Sequence, residues 1–137
     1  MEPIVVDSNI IVASFLEAEA FHEQGLEYVN KLERGDFIFH VPMLVVVEVM
    51  SAISRRATKN RLALMITWNQ NTVDWESSGQ INLYPLDRDR MDQAINIAQS
   101  HRLRGADSVV AALAEELGMP LKTFDGEILA RFPRASV

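Results

Sequence analysis

The chain has 137 residues, 48% of them hydrophobic and 23% charged, with a formal net charge of −6 at pH 7. This length and composition predict a single globular domain over residues 1–137 and exclude a disordered or fibrous protein. The negative charge argues against broad, non-specific nucleic-acid binding, although acids gathered in one cleft would attract a cation there.

No segment predicts secretion or membrane insertion. The longest uninterrupted apolar run, MLVVV at residues 43–47, is far shorter than the roughly 20 residues that a membrane-spanning helix requires. The first residues, MEPIVVD, lack a basic segment followed by a long apolar core. The chain has no cysteine, which excludes disulfides and thiolate metal sites. We therefore expect a cytoplasmic protein that does not contact a membrane.

The first half of the chain predicts strands that alternate with helices. In order, these are a strand PIVVD, a helix from Ser8 or Asn9 to Phe15, a helix from about Phe21 to Leu32, a strand FIFHV, a helix MLVVVEVMSAISRRA that Pro42 begins, and a helix over residues 60–76. The valines at 45–49 would also suit a strand. The apolar pattern continues to Ile53, however, which favours the helix.

The second half continues the alternation. In order, it predicts a strand INLYPL, a helix DRDRMDQAINIAQSHRL, a helix GADSVVAALAEELG, a strand LKTF, a turn DGE and a short helix ILARF. Strands joined by helices pair in parallel. We therefore predict an α/β protein, a three-layer α/β/α sandwich around a central, mainly parallel sheet.

Two predicted strands end directly in a carboxylate. Asp7 follows IVV, and Asp125 follows LKTF. Ligands of open α/β sheets bind at the carboxyl ends of the strands, so both acids could line one site. The local alternatives are that Asp7 caps the next helix and that Asp125 opens an Asp-Gly turn.

Two further acids lie on predicted helices. Glu48 is the only charged residue between Leu44 and Met50. An unpaired charge inside a core is costly, so Glu48 requires either Arg55 as a partner or a place on a cleft. Asp107 lies in the first turn of its helix, where the helix dipole would stabilise it whatever its function.

These four acids occur within segments that resemble one known family. The segments VVDSN, VVVEV, RGADSVVAALAEELGMPL and KTFDGE resemble, in this order, the motifs of the PIN-domain ribonucleases, particularly the VapC-like toxins of toxin–antitoxin pairs. The resemblance covers essentially the whole chain, and its later half is the most specific part.

The resemblance implies both a site and a function. Four carboxylates would act as the catalytic residues and hold Mg²⁺ or Mn²⁺: Asp7, Glu48, Asp107 and Asp125. Thr123 and Asn9 would support them, and Glu127 would be a looser addition. The activity implied is metal-dependent endoribonuclease cleavage of single-stranded RNA by a toxin with a cognate antitoxin and a homodimeric state.

Electrostatics supports a cation independently of the resemblance. Two carboxylates about 4 Å apart repel by roughly 4 kcal/mol at an effective dielectric constant of about 20, so a cluster of them requires protons or a cation. An all-oxygen set of ligands favours Mg²⁺ or Mn²⁺ over zinc.

Structural roles explain several other residues. Acids at the start of LDRDRMDQA are predicted to cap their helix rather than to hold a metal: Asp87, Asp89 and Asp92. The histidines lie in separate segments without zinc spacing: His22, His40 and His101. Trp68 and Trp75 are predicted to pack in the core, with an oligomer interface as the alternative.

Two groups of basic residues are candidates for contact with RNA phosphates. The first is predicted to be a solvated face more readily than a phosphate site: Arg55, Arg56, Lys59 and Arg61. Arg102 and Arg104 precede the Asp107 helix and are better placed for RNA, provided that the acids form a cleft.

Two rival functions make different predictions. A receiver or phosphatase fold would use Asp7 as a phosphoryl acceptor, which an aspartyl-phosphate would reveal, but the following Ser8 and Asn9 do not supply a D-x-D pair. A non-catalytic PIN-like binding or assembly module would bind its partner without cleaving RNA.

Overall fold

The computed structural model describes residues 1–137 and contains five strands and seven helices. The strands are β1 (Glu2–Val6), β2 (Phe37–Pro42), β3 (Ile81–Tyr84), β4 (Leu121–Lys122) and β5 (Ala135–Ser136). The helices are α1 (Ser8–Phe15), α2 (His22–Glu33), α3 (Met43–Arg56), α4 (Arg61–Ser78), α5 (Arg88–His101), α6 (Gly105–Leu117) and α7 (Gly126–Arg131). None of these helices is long and apolar enough to cross a membrane.

The strands form one parallel sheet in the order β3-β2-β1-β4-β5. Helix α1 packs on α2 and α3, and α3 packs on α4, whereas α5 packs on α6, which crosses β1 and β2. The chain adds β2 and β3 on one side of β1 and then returns to add β4 and β5 on the other side. Because connections between parallel strands are right-handed, this reversal places the two groups of helices on opposite faces of the sheet. The central strand is covered on both faces, and its residues Ile4, Val5 and Val6 are fully buried. The predicted α/β/α sandwich is confirmed.

A close approach of α1 and α2 depends on Gly25. A Cβ atom added at this position would lie 2.8 Å from the Ile10 carbonyl oxygen and 2.9 Å from the Ala13 Cβ. Only glycine therefore allows α2 to rest on α1 at this distance. The contact matters for the site, because α1 begins at the carboxyl end of β1.

Helix α3 forms despite its run of valines. Pro42 ends β2 with extended backbone and serves as the N-cap of α3, and Val45, Val49 and Ile53 are fully buried at helical spacing. Burial of this stripe outweighs the strand preference of valine. The prediction of a helix is confirmed.

The two tryptophans of α4 support α3 from behind. Trp68 and Trp75 are 0% and 5% exposed, their rings meet edge to face 6.0 Å apart, and the Trp68 indole donates to the Val46 carbonyl at 3.1 Å. The prediction that they pack in the core is confirmed.

The C-terminal segment departs from the prediction in three ways. Strand β4 ends at Lys122 rather than continuing through Thr123 and Phe124, and β5, which was not predicted, pairs with it. The predicted turn at DGE is wrong, because Asp125 caps a helix that begins at Gly126. The local sequence Asp-Gly suits either a turn or a helix start, and packing selected the helix.

Candidate active site

The register of β1 and β4 brings two distant polar residues together. Val6 pairs with Lys122, so the next residue of each strand, Asp7 and Thr123, emerges at the same carboxyl edge of the sheet. The Thr123 hydroxyl donates to Asp7 Oδ2 at 2.9 Å, across 116 positions of the sequence. This edge is where ligands bind in open α/β sheets.

Asp7 is buried, with 6% of its surface exposed. The Ser8 amide donates to Asp7 Oδ1 at 2.8 Å, so the residue also caps α1 as the local alternative predicted. Burial raises the pKa of Asp7 from 3.8 to about 6, the hydrogen bonds from Thr123 and Ser8 oppose the shift, and the charges of Asp107 and Asp125 add to it. A cation beside Asp7 would remove this penalty on the ionised form.

Asn9 and Thr123 link the first acid to the fourth. Asn9 Nδ2 donates to Asp7 Oδ2 at 3.3 Å and to Thr123 Oγ1 at 3.2 Å, and its Oδ1 accepts from the Phe124 amide at 3.1 Å. Thr123 Oγ1 also accepts from the Asp125 amide at 3.0 Å. Both residues therefore hydrogen-bond to Asp7, and their support of a metal site stays a prediction.

Asp125 faces the same edge while it caps α7. Its Oδ1 accepts from the amides of Glu127 and Ile128 at 2.8 and 3.1 Å, which leaves Oδ2 for other partners. Such N-cap bonds stabilise a helix by about 0.5–2 kcal/mol and also fix the direction of the carboxylate. The capping role and a functional role are therefore compatible.

Asp107 reaches the edge from the first turn of α6. Burial raises its pKa above the usual 3.8, the charge of Asp125 adds to the shift, and Arg104 opposes it. The Ser108 hydroxyl donates to the Arg104 carbonyl at 2.9 Å, and no side chain caps the start of α6. The Asp107 carboxylate therefore has no capping role in α6.

Glu48 comes to the same region from the middle of α3. It is half-buried, and burial raises its pKa above the usual 4.5, with further contributions from the charges of Asp7 and Asp107. A hydrogen bond with the Ser8 side chain opposes that shift. The structure contains no ion pair between Glu48 and Arg55, so of the two predicted environments Glu48 takes the cleft.

One arginine side chain forms ion pairs with two of the predicted ligands. Arg104 Nε is 3.3 Å from Asp107 Oδ2, and Arg104 Nη2 is 3.3 Å from Asp125 Oδ2. Sequence reasoning assigned Arg104 to RNA phosphates and missed this bridge. The i,i+3 spacing to Asp107 was the available signal, whereas the contact with Asp125 had none.

The structure thus gathers all four predicted carboxylates at one end of the sheet. As the side chains stand, no group of three or more histidine, aspartate or glutamate residues has a geometry that could hold a metal ion. The ligand set Asp7, Glu48, Asp107 and Asp125 therefore stays a prediction. Glu127 lies nearby and contributes charge to Asp107, but its carboxylate pairs with Arg131 at 2.8 Å.

The chemistry of the site suits a hard dication. The available ligands are carboxylate oxygens, three of the four acids have raised pKa values from burial and mutual repulsion, and a guanidinium already bridges the other one to Asp107. Oxygen-only sets of this kind favour Mg²⁺ or Mn²⁺.

The acids and histidines to which the sequence assigned structural roles lie outside this region. Asp87 caps α5 by accepting from the Arg90 amide at 2.9 Å, as predicted. His22 contacts the Ala13 carbonyl, His40 contacts the Tyr84 hydroxyl, and His101 contacts the Arg131 carbonyl. Each histidine therefore has a separate local partner.

The chain resembles known proteins both in sequence and in fold. The profile of the family described as "PIN domain" matches residues 4–135 of this chain. No curated protein sequence gave a significant match.

Several solved structures share the fold. A toxin–antitoxin complex from Klebsiella pneumoniae matches with a TM-score of 0.65 at 16% identity, covering 98% of this chain and 96% of the other. VapC20 from Mycobacterium tuberculosis, described as a Sarcin-Ricin loop cleaving toxin, matches with a TM-score of 0.72 at 16% identity and 93% coverage of each chain. VapBC2 from Rickettsia felis, bound to a promoter DNA fragment, has a TM-score of 0.60 at 14% identity, covering 97% of this chain and 95% of the other.

Proposed function

This chain belongs to the PIN domain family, and from that premise we propose that it is a metal-dependent endoribonuclease that cleaves single-stranded RNA as the toxin of a toxin–antitoxin pair. On this proposal residues 1–137 form one nuclease domain. A cytoplasmic location goes with it, since that is where a toxin of this kind would meet cellular RNA.

One observation carries the proposal. Four acids that are far apart in the sequence converge at one edge of the sheet, where burial and mutual repulsion raise the pKa values of Asp7, Glu48 and Asp107. A fold gains no stability from such repulsion, so the arrangement is best explained by a function that uses it. Phosphodiester hydrolysis is such a function, because its transition state carries additional negative charge that a metal can neutralise.

The proposed metal ligands are Asp7, Glu48, Asp107 and Asp125. When bound, Mg²⁺ or Mn²⁺ would lower the pKa of a water and neutralise charge that develops on the phosphodiester. The ionised carboxylates are acceptor-only groups, so they suit a cation and do not compete as proton donors.

The other polar residues of the site hold these carboxylates in place. Thr123 and Asn9 both donate to Asp7 Oδ2, and Ser8 holds Oδ1. Restraint of this kind matters because outer hydrogen bonds to ligating carboxylates are typically worth about 10- to 100-fold in metal affinity or activity. We assign Thr123 and Asn9 this positioning role.

The structural relatives support the toxin role. One is described as a toxin–antitoxin complex, and another as a Sarcin-Ricin loop cleaving toxin. At 16% identity this likeness shows the shared fold alone, so the toxin role rests on the family motifs together with it.

The proposal includes an antitoxin and a second copy of the chain as protein partners. Large apolar side chains on one side of α4 support such partners, with Leu62, Ile66 and Val73 at least 60% exposed. Exposed apolar side chains grouped on one side of a helix are a feature of many protein interfaces. Light scattering on the purified chain is expected to give twice the chain mass.

The test of the nuclease activity compares two aspartate variants. Asp107→Asn should reduce cleavage of a single-stranded RNA in Mn²⁺ by about 100-fold or more, because it removes a ligand charge worth several kcal/mol to the transition state. Asp92→Asn makes the same chemical change on an exposed helix and should keep wild-type activity. The rate is measured on an end-labelled RNA, with EDTA as the blank.

The outcomes separate the proposal from its rivals. Equal cleavage by the wild type and Asp107→Asn would remove the nuclease assignment. Binding of RNA without cleavage by the wild type would favour the non-catalytic module. A covalent phosphate trapped on Asp7 would favour the phosphoryl-acceptor class.

A further inference from the structure

Arg104 has an unusual place among the charged residues of the site. Its guanidinium contacts Oδ2 of both Asp107 and Asp125 at 3.3 Å, so a single cation joins two acids that belong to different helices. The two carboxylates are 17% and 22% exposed, whereas the arginine side chain is 69% exposed. The positive charge therefore enters the site from solvent.

The bridge is easily released. The Arg104 backbone is the N-cap of α6, but its side chain makes no capping hydrogen bond and bonds only to the two carboxylates. Exposed ion pairs contribute only about 0–1 kcal/mol each, so release costs little. The guanidinium can leave without disturbing the helix that carries Asp107.

The bridge and a metal ion require the same atoms. Two of the four proposed ligands have one oxygen each engaged by Arg104, and a second positive charge at that distance would repel a dication. The remaining oxygen of Asp125, Oδ1, already accepts two amide hydrogens. Full use of Asp125 as a ligand therefore requires Oδ2, the atom that Arg104 contacts.

We propose that Arg104 is an internal counterion of the site, which occupies Asp107 and Asp125 in the metal-free protein and is displaced when a divalent cation binds. The inference rests on the proposed function, since it uses the same four ligands. Arg104 is thus a positioning residue that sets the metal affinity. It holds two repelling acids together without a metal and limits the uptake of the ion.

The test measures Mn²⁺ binding by calorimetry on the full chain. Removing the competing charge in Arg104→Gln should lower the Mn²⁺ Kd about three- to tenfold, the range expected for losing one or two exposed ion pairs. Arg104→Lys keeps the charge but loses the two-pronged contact, so its Kd should lie between those of the wild type and Arg104→Gln.

Arg88→Gln is the matched control. It removes the same charge from an 80% exposed side chain that pairs with Asp92 on α5. It should bind Mn²⁺ like the wild type, which distinguishes local competition from an effect of net charge. Urea unfolding in EDTA checks that every variant is folded.

The outcomes separate this inference from the proposed function. Equal or weaker Mn²⁺ binding by Arg104→Gln would overturn the counterion role and leave the nuclease proposal standing. Tighter binding in Arg88→Gln to the same degree would also overturn it. A wild type and an Arg104→Gln variant that both bind no Mn²⁺ would overturn both proposals.

Discussion

Two acidic regions of this chain differ in how far the fold exposes them to solvent. At the start of α5, three acids lie within six residues of sequence, and all are exposed: Asp87, Asp89 and Asp92. At the carboxyl ends of β1 and β4, four acids meet from segments spread over most of the chain: Asp7, Glu48, Asp107 and Asp125. Both regions are rich in carboxylates, but only the second withdraws them from solvent, with Asp7 buried and the other three partly buried.

The α5 region is stabilised locally. Asp87 caps the helix, and Arg88 lies 3.5 Å from Asp92 at the i,i+4 spacing that suits a surface ion pair. Water screens what repulsion remains, so each acid contributes little to stability. This is a solvated helix start with no need of a metal.

The sheet-edge region is stabilised through distant contacts. Asp7 depends on Thr123, which is 116 positions away, and Asp107 and Asp125 share Arg104. Burial is the largest cause of the raised pKa of Asp7, and the charges of Asp107 and Asp125 add to it. Acidic density in the sequence is therefore a poor guide to which acids the fold brings together out of solvent, whereas a position at the carboxyl end of a strand is a better one.

The largest effect is expected from the unfavourable ionisation of Asp7 in the folded state. Its pKa is about 6 in the folded state against 3.8 as the ordinary value. The folded state therefore binds the proton more tightly, and this extra stability is present below pH 3.8 and lost as pH rises through 6. Asp7→Asn has no carboxyl group to titrate, so its stability should not fall in this way as pH rises. In EDTA, the free energy of unfolding of Asp7→Asn should therefore rise relative to that of the wild type by about 2–3 kcal/mol between pH 3.5 and pH 8.

Urea unfolding of both proteins across this pH range measures the difference. Asp92→Asn is the control from the α5 region, and its difference from the wild type should change far less with pH. If the difference in unfolding free energy between Asp7→Asn and the wild type did not change with pH, the raised pKa of Asp7 would be contradicted. The two acidic regions would then not differ in this respect.

A smaller effect tests the distant support of the sheet edge. Thr123→Val removes a fully buried hydroxyl and leaves Asp7 Oδ2 and the Asp125 amide each with a lost partner. We expect the protein to lose about 1–3 kcal/mol of unfolding free energy at pH 7, the cost of unsatisfied buried groups. The pKa of Asp7 should rise further, since the hydrogen bond from Thr123 lowers it.

Thr123→Ser keeps the hydroxyl and is the matched control. It should retain most of the stability and the metal affinity, whereas Thr123→Val should lose both. Equal losses in the two variants would assign the effect to the methyl group and its packing.

The smallest effects are expected in the α5 region. Asp87→Ala removes the bond from the Arg90 amide and should cost about 1 kcal/mol, the usual value of an N-cap. Asp92→Asn should cost less than about 0.5 kcal/mol, because it breaks only an exposed pair. Thermal unfolding measures both costs. A cost for Asp92→Asn as large as that for Thr123→Val would contradict the difference in stabilisation between the α5 region and the sheet-edge region.

Local patterns in the sequence were sufficient for most of the fold. The apolar pattern that continues from the valines at 45–49 to Ile53 predicted α3, and the glycine after α6 predicted its end, where Gly118 has a left-handed φ of 64°. Such signals act over a few residues, so they can be read before the chain folds. The same holds for Asp7 and Asp125, which were recognised because each directly follows a predicted strand.

The failures concern contacts that no local pattern encodes. Strand β5 has two residues, too few for any periodicity, and it exists because β4 offers an edge with which to pair. The start of α7 was missed because Asp-Gly suits a turn equally well. The bridge from Arg104 to Asp125 spans 21 positions and depends on where α6 and α7 begin.

The sequence by itself determined the order of elements from β1 to β4 and the identity of the acids, because hydrophobic periodicity and end signals are properties of short segments. Tertiary structure alone decided the pairing of Val6 with Lys122, and through it the contact of Asp7 with Thr123. It also decided that Glu48 would face the other acids and that Arg104 would lie on two of them. These are matters of register and packing, which depend on burying one core with the whole chain.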